Sequence, residues 1–549
     1  MNKTSIICSI LLLSIAVAWG GNKQKLIRGS KTAVNKDDTS FVPTHFITRN
    51  GNKLYDGNTQ WLGMGFNGPD LIFHGTDFQV QDFMQSLSQM GMNCVRLYSF
   101  GMMTANDSVR LTGNNSVHIL APGQYNDKAF LAIDRVLKYA NDYGVKVIIN
   151  FFDAHAFGGG GIGGFTKMYG KPYSAYYKDP QLIQAEKAFY DYLINRTNTL
   201  TKVKYKDDKA ILGWQLGNEL EFGGSDFTNY LAPDGLGEAI CDWTLEMAAY
   251  IKSKDPNHLV IDGRANRYLE YDTNTILRDK EIAVLKSSDV DICDIHYSPR
   301  NHRPTMGEAA GGAAMATRVV LNAELICGKY NKVLIAGEGP SFAAPEVLRS
   351  FLQAGFANTR TTGVGLSVSM SWSLRSHYDD GGFTYHREAI IPDPDPGAYT
   401  DHWWSWHFPG LPSGDAYWET QAMTMFREEA YRILHRQSPP PPYPVCAPPV
   451  LINVVDQTDI RFRGSAGGKN YDIQRSDDGG KTWNTIITGY VDDVNVANNK
   501  NAKMVNDNTA TAPCVNTLYR VRANNSDGVP SDWSAPLKFG TTNTPPKGF

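Results

Sequence analysis

Two glutamates stand where apolar runs give way to glycine-marked polar segments, Glu219 in "GWQLGNELE" and Glu338 in "IAGEGPSF". Each sits where a buried strand would meet its loop. Carboxylates about 5 Å apart can divide the work of retaining glycoside hydrolysis, one as nucleophile and the other as general acid/base. Mutual repulsion and partial burial would raise one of the two pKa values and keep that acid protonated near neutrality. Either glutamate alone reads as a loop carboxylate or a helix cap; at matched strand ends the pair reads as chemistry. A third apolar run ends in "FFDAHAF", which offers Asp153 and His155 toward the same face.

Such chemistry needs a frame that brings distant strand ends together. Short apolar runs at 61–67, 93–100, 145–152, 210–218, 258–263, 290–297, 332–338 and 364–372 alternate with amphipathic runs. Examples of the latter are "DFMQSLSQMG", "NDKAFLAIDRVLKYANDYG" and "GEAICDWTLEMAAYIKSK". Eight strands separated by helices predict an α/β fold whose parallel sheet closes into a (β/α)8 TIM barrel. An open doubly wound sheet suits eight units less well. Barrel enzymes keep their active sites at the C-terminal ends of strands. There the fourth and seventh strands would set Glu219 and Glu338 facing each other across a narrow floor.

The run "SPPPPYPVCAPP" cannot belong to a helix or a central strand and reads as a stiff, extended linker over 438–449. It follows a catalytic segment at 41–437 and precedes a segment at 450–549. In the latter, "NYDIQRSDDGGKTWNTI" and "TLYRVRANNSDGVPSDWSAPLKF" alternate and carry turn signals. They predict a small all-β sandwich similar to a fibronectin type III domain. Ser476, Asp478, Gly480, Thr482 and Trp483 spell one Asp-box, read here as a hairpin turn stiffened by Asp and Trp rather than as a propeller blade.

The chain opens "MNKTSIICSILLLSIAVAWGG", with an early lysine, an apolar run too short to span a bilayer and small residues after it. That is the layout of a secretory signal peptide over 1–20, followed by a polar segment at 21–40. The expected destination is outside the cell, with no membrane insertion. A net charge of -3 gives no phosphate-backbone footprint, so no nucleic-acid partner is expected. Cys446 and Cys514 could pair in an oxidising compartment, while Cys94 and Cys293 lie in apolar runs and read as buried thiols. Asn106, Asn114, Asn195 and Asn524 begin N-x-S/T sequons.

Six glycines between Gly158 and Gly164 include a literal G-x-G-x-x-G after the third strand. A dinucleotide turn runs straight into a helix. Here "GFTKMYGKPYSAYYKDPQ" intervenes, and helical periodicity is expected only from Leu182. The glycines therefore do not read as a nucleotide site, and no cofactor or metal is expected. They would let a loop lie low beside an open cleft, with Tyr169, Tyr173, Tyr176 and Tyr177 available to stack on sugars; a plain surface loop is the alternative. The long segment after the eighth strand holds Trp403, Trp404, Trp406 and Trp418, which either hold polysaccharide or pack the loop on the barrel.

"GNEL" at the fourth strand and "GEG" at the seventh resemble glycoside hydrolase family 5, a family of retaining (β/α)8 enzymes. The resemblance implies Glu219 as acid/base, Glu338 as nucleophile and Asn218 as the partner of the sugar 2-hydroxyl. It also implies that Arg96 in "NCVRLYSF" orients the nucleophile, that His296 in "DIHYSP" joins the site and that Trp372 in "VSMSWSL" lies under the reacting sugar. One departure is visible. The family spells the sixth strand end His-x-Tyr, whereas here Tyr297 follows His296 directly and Ser298 takes the tyrosine's place; Tyr297 is expected to reach the nucleophile through an altered backbone and to join the substrate site.

The resulting expectation is a secreted retaining β-glycosidase acting on a polysaccharide, with β-1,4-mannan or glucomannan first. "FVPTHFITRNGNKLYDGNTQWLGMGFN" and "GMNCVRLYSFG" are similar to the mannanase branch. A β-1,4-glucanase, an exo-acting β-mannosidase or β-glucosidase, and a non-catalytic polysaccharide-binding barrel are the alternatives.

Overall fold

The structure is a computed structural model that describes residues 43–73, 75–102, 117–155, 160–220, 236–264, 279–297, 308–340, 344–384, 405–411, 419–494, 496, 501–509 and 516–543. Eight parallel strands close into a barrel. They are β1 Gly63–Asn67, β2 Cys94–Arg96, β3 Lys146–Asp153, β4 Ile211–Asn218, β5 Leu259–Ile261, β6 Ile292–His296, β7 Val333–Glu338 and β8 Leu366–Ser371. Each lies within one of the eight apolar runs except β3, which extends one residue beyond its run to Asp153. Closure comes from β8 against β1, where Val368 pairs with Gly63 and Ser371 with Phe66. A glycine is required at Gly65, because a Cβ there would lie 1.6 Å from the Cys94 carbonyl oxygen of β2.

The barrel interior changes character along its axis. Near the N-terminal ends it is apolar, with Cys94, Ile148, Ile261, Ile292, Val333, Ile335, Val368 and Met370 in one cluster. A three-stranded antiparallel sheet, Ile47–Asn50, Lys53–Asp56 and Thr59–Trp61, adds Ile47 and Leu54 to that cluster. Toward the C-terminal ends the buried groups become polar, among them Asn67, Arg96, Gln215 and Asp294. Polar side chains inside apolar strands must find partners, and these find one another.

Eight helices follow the strands: α1 Asp77–Gln89, α2 Leu131–Tyr143, α3 Pro180–Asn195, α4 Leu236–Lys254, α5 Asp279–Lys286, α6 Glu308–Ala323, α7 Pro345–Phe356 and α8 Glu419–Ala430. Their starts and stops are local. Thr76 and Gln79 form a capping box at α1, Asp179 caps α3 with Pro180 in its first turn, and Gly144 ends α2 in the left-handed region. On α1, Val80, Phe83, Met84 and Leu87 bury one face. Among the described residues no helix is long and apolar enough to cross a membrane.

The glycine-rich stretch departs from expectation. Gly161–Met168 is itself a short helix, so helical structure begins well before Leu182. Ile162 and Phe165 bury the helix against the barrel despite its glycine content, a tertiary override of poor propensity.

The C-terminal segment is all-β. Strands β9 Val450–Asn453 and β10 Arg461–Arg463 form one antiparallel pair. Strands β11 Asn470–Ser476, β12 Asn484–Tyr490, β13 Leu518–Asn524 and β14 Leu537–Lys538 form a second sheet, in the order β12-β11-β13-β14. Alternation along β13 buries Tyr519, Val521 and Ala523 against Phe462, Tyr471 and Ile473. The Asp-box is the β11–β12 hairpin turn: Asp478 accepts hydrogen bonds from the Ser476 and Thr482 hydroxyls and from the Lys481 and Thr482 amides. Cys94, Cys293 and Cys446 are buried thiols, and Cys514 lies outside the described residues.

The proline-rich linker is extended, but it does not hold the two domains apart. Arg427 donates to the Pro441 carbonyl at 2.7 Å and stacks on the Tyr443 ring at 4.1 Å, while Asn525 donates to the carbonyls of Tyr443 and Pro444 at 3.0 Å each. Beyond the linker the domains touch directly. Arg463 of β10 donates to the Asp379 carboxylate at 2.6 Å, and Gln89 of α1 donates to the Ala466 carbonyl at 3.1 Å. His377 is wholly buried in this contact, with Asp82 of α1 3.0 Å from Nδ1 and the Tyr471 hydroxyl 3.3 Å from Nε2.

Burial lowers the His377 pKa, but the charges of Asp82 and Asp492 override it and the net shift is upward. A raised histidine pKa contributes stability that is present below about pH 6.5 and lost as pH rises through the folded-state value. Asp82→Ala removes the main partner of this buried cation and is expected to cost about 3–5 kcal/mol, read as a fall in the urea midpoint at pH 6. A loss below about 1 kcal/mol would show that the pair does not carry the contact.

Candidate active site

Glu219 follows β4 with a φ of 52°, in the left-handed region that side-chain-bearing residues avoid. Such a conformation costs about 1–3 kcal/mol and persists only where its surroundings impose it. Here they do. The Leu220 amide donates to the Gly263 carbonyl at 3.3 Å, the Tyr177 hydroxyl donates to the Leu220 carbonyl at 2.6 Å, and the Ala154 amide donates to the Asn218 carbonyl at 3.0 Å. Gly263 must be glycine, since a Cβ there would lie 2.2 Å from the Gly217 carbonyl oxygen.

The Glu219 carboxylate lies between two imidazoles. His155 Nε2 is 2.7 Å from Oε2 and His296 Nδ1 is 2.8 Å from Oε1. Glu338, at the end of β7, accepts from Arg96 Nη1 at 2.9 Å, and its Oε2 is 3.8 Å from His296 Nδ1. One oxygen from each glutamate and one His296 nitrogen all lie within 4.8 Å of one another. That spacing could also bracket a cation, but the Arg96 guanidinium already places a fixed positive charge against Glu338.

Arg96 is fully buried and binds four side chains. Besides Glu338 it donates from Nε to Gln215 Oε1 at 2.6 Å, from Nη1 to Asn67 Oδ1 at 2.9 Å and from Nη2 to Asn218 Oδ1 at 2.6 Å. Because a guanidinium only donates, Asn218 must turn its oxygen to it. The Asn218 amide nitrogen then donates to Asp153 at 2.9 Å, and Asp153 also accepts from the Tyr98 hydroxyl at 2.6 Å. The Tyr98 ring stands at 68° to Trp372, with centroids 5.3 Å apart. Trp372 follows β8 and accepts at its carbonyl from the Trp406 indole at 3.1 Å. Behind His296, Asp294 Oδ2 accepts from Gln215 at 2.6 Å and Oδ1 from the Gly337 amide at 2.6 Å.

The structure thus brings Glu219, Glu338, Arg96, Asn218, His155, His296 and Trp372 to one end of the barrel. Tyr297 is corrected. Strand alternation turns it outward once Asp294 and His296 face in. Its hydroxyl accepts from Asn322 of α6 at 2.6 Å, and its ring packs on Phe351 of α7. Tyr176 and Tyr177, expected to stack on sugars, are buried instead, and Tyr176 donates to the buried Glu186 at 2.6 Å. Trp406 is likewise buried, against Phe426, and supports the backbone of Trp372. Trp403, Trp404 and Trp418 lie outside the described residues, as do Gly158 and Gly159. Asn67, Tyr98, Gln215 and Asp294 were missed. Their signal was a polar group standing in an otherwise apolar strand.

One of the two carboxyls is raised, as expected, but it is Glu338 and not Glu219, which the resemblance implies as acid/base. Burial acts to raise the Glu219 pKa, but hydrogen bonds and charge from His155 and His296 override it and hold the carboxyl well below the usual range. Glu338 goes the other way: burial pushes it up, and the His296 and Arg96 charges offset only part of that. His155 is lowered by burial but raised more by Glu219, Asp153 and Glu338, reaching about 9. Near neutral pH the proton of the Glu219–His155 pair therefore rests on the imidazole.

Residues 37–303 match the family described as GH family 5 beta-mannosidase-like. A mannan endo-1,4-beta-mannosidase 3 of Arabidopsis thaliana is 27% identical over 367 residues, 63% of this chain and 80% of that protein. Mannan endo-1,4-beta-mannosidase 7 of the same plant is 29% identical over 238 residues, 41% of this chain and 49% of that protein. The chain therefore spans between about half and four fifths of the length of these curated relatives. An endo-1,4-beta-mannanase from Rhizomucor miehei superposes with a TM-score of 0.51 at 20% identity, covering 70% of this chain and 99% of that one. An endo-beta-1,4-mannanase from Thermotoga petrophila gives a TM-score of 0.53 at 16% identity, covering 88% and 98%. These two show the likeness of fold.

Arg96→Leu would strand four buried acceptors, one of them ionisable. It is expected to destabilise the protein by about 3–5 kcal/mol, measured by urea unfolding; a loss within about 1 kcal/mol would mean that the strand ends hold their geometry without the guanidinium.

Proposed function

The chain belongs to glycoside hydrolase family 5, and on that footing we propose that it is a secreted, endo-acting β-1,4-mannan hydrolase working by double displacement. The observation that carries the reading is the glutamate pair, whose nearest oxygens lie within 4.8 Å. Retaining enzymes hold their two carboxyl groups about 5–5.5 Å apart, whereas inverting ones leave about 6.5–9.5 Å for a water. Glu338 attacks the anomeric carbon, and Arg96 aims it and favours its ionised form. Glu219 protonates the departing glycosidic oxygen, then takes a proton from the water that releases the sugar. Asn218, fixed by Arg96 and Asp153, and Trp372, braced by Tyr98 and Trp406, line the place where the reacting sugar would sit. Mannan as substrate is supported by the likeness to plant mannan endo-1,4-beta-mannosidases. Secretion is supported by the basic start and apolar run of residues 1–20.

Hydrolysis of soluble mannan, glucomannan, xylan and carboxymethyl-cellulose tests the substrate. Mannan and glucomannan are expected to be cut, with viscosity falling ahead of reducing-end release. Glu338→Gln should lower kcat by at least about 10³-fold. Proton NMR of the first product should show the β-anomer. An α-anomer would exclude double displacement, and cleavage of carboxymethyl-cellulose but not mannan would move the protein to the glucanases.

A further inference from the structure

Glu219 has no obvious place to keep the proton it must donate. Both of its oxygens face imidazole nitrogens, at 2.7 Å and 2.8 Å. The two histidines are not equivalent. His296 also faces Asp294, 3.3 Å from Nε2, and Glu338, 3.8 Å from Nδ1. Its charge offsets three carboxylates at once, so losing its proton would leave them facing one another. His155 faces Glu219, Asp153 of its own strand end and, further off, Glu338; Asp153 is in turn bonded to Tyr98 and Asn218. Both imidazoles thus face three carboxylates, but Glu338 is the strongest of the charges acting on His296 and the weakest of those acting on His155, so His155 releases a proton with less electrostatic disruption.

The chain also fixes His155 in place. The Ala154 amide binds the Asn218 carbonyl of β4, and the Tyr173 hydroxyl donates to the Ala154 carbonyl at 3.2 Å. Gly161, with a φ of 47°, packs so closely that a Cβ would lie 2.2 Å from the His155 carbonyl oxygen. Within the glycine run, Gly161 is thus the residue whose missing side chain permits this close approach to the strand end that carries the histidine.

We propose that His155 is the proton store of the acid/base, exchanging one proton with Glu219 in each half-reaction. The inference rests on the double displacement proposed above. In the first half, Nε2–H passes its proton to Glu219 Oε2. Glu219 then protonates the glycosidic oxygen as the bond from that oxygen to the anomeric carbon breaks and the bond to Glu338 forms. His155 is left neutral and Glu219 ionised. In the second half, a water oxygen attacks the anomeric carbon and the Glu338 ester bond breaks. The water's proton goes to Glu219 and on to His155 Nε2, restoring the starting state with one water consumed. The elevated pKa of His155, about 9, agrees with a proton resident on it at neutral pH.

The test separates proton supply from positioning. His155→Gln keeps an N–H donor near the Nε2 position but cannot pass on a proton. kcat/KM is measured on a mannan oligosaccharide, whose leaving group needs protonation, and on a dinitrophenyl β-mannoside, whose leaving group does not. The expected result is a loss of about 10²–10³-fold on the oligosaccharide and less than about 5-fold on the aryl glycoside. The alkaline limb of the oligosaccharide pH profile should also move to lower pH, because Glu219 alone gives up its proton sooner. Equal losses on both substrates would overturn the proposal in favour of a positioning role. Full activity on both, with an unmoved alkaline limb, would overturn it as well. Wild type inactive on both substrates would instead sink the proposed function, so the two failures are distinguishable.

Discussion

The upper half of the barrel depends on the burial of a single guanidinium. Arg96 carries its charge into a region without solvent contact, which is tolerable only where its donors meet acceptors and its charge meets an opposite one. Glu338 supplies the charge, and Asn67, Gln215 and Asn218 supply the remaining acceptors. These groups come from β1, β4 and β7, with Arg96 itself on β2. The rigid, planar fork of arginine thereby sets the relative placement of four strand ends. A carboxylate held this way is also a structural counter-ion, so its placement and its charge cannot be altered separately.

The Glu219 side is built by different means. Glu219 is held in a strained backbone conformation by contacts from β3, β5 and Tyr177, and its carboxylate is aimed by two imidazoles. Two carboxyls in one low-dielectric space would ordinarily divide by repulsion, one keeping a proton. Here the histidines change that division: they hold the Glu219 carboxyl below the usual range, while burial raises Glu338. The site is therefore a coupled set of two carboxyls and two histidines rather than an isolated pair.

The all-β segment belongs to this design more closely than a tethered module would. After β8, residues 377–383 pack between α1 and the C-terminal sheets. His377 meets Asp82 and Tyr471, Asp379 meets Arg463, and the Phe383 amide donates to the Asp493 carbonyl at 2.9 Å. Trp406, later in the chain, braces the Trp372 carbonyl. The second domain thus forms one wall of the segment that follows β8.

Most of the frame was legible in the residue order. Eight apolar runs alternating with amphipathic ones point to a parallel sheet covered on both faces, the number of units favours its closure into a barrel, and the two glutamates mark where such runs end. The local signals at Thr76, Asp179 and Gly144 work within a turn and need no partner. What the sequence could not determine was direction and proton. Tyr297 and His296 are neighbours in the chain, yet one faces Phe351 and the other Glu219, a choice made by strand alternation in a register the sequence does not display. The tyrosines after β3 were legible as aromatic but not as buried, because burial depends on what packs above them. Which of the four titratable groups hold protons depends on distances of 2.7 to 3.8 Å between residues up to 77 positions apart, such as Glu219 and His296. Only the closed barrel creates those distances, and electrostatic coupling in a buried site changes steeply over them.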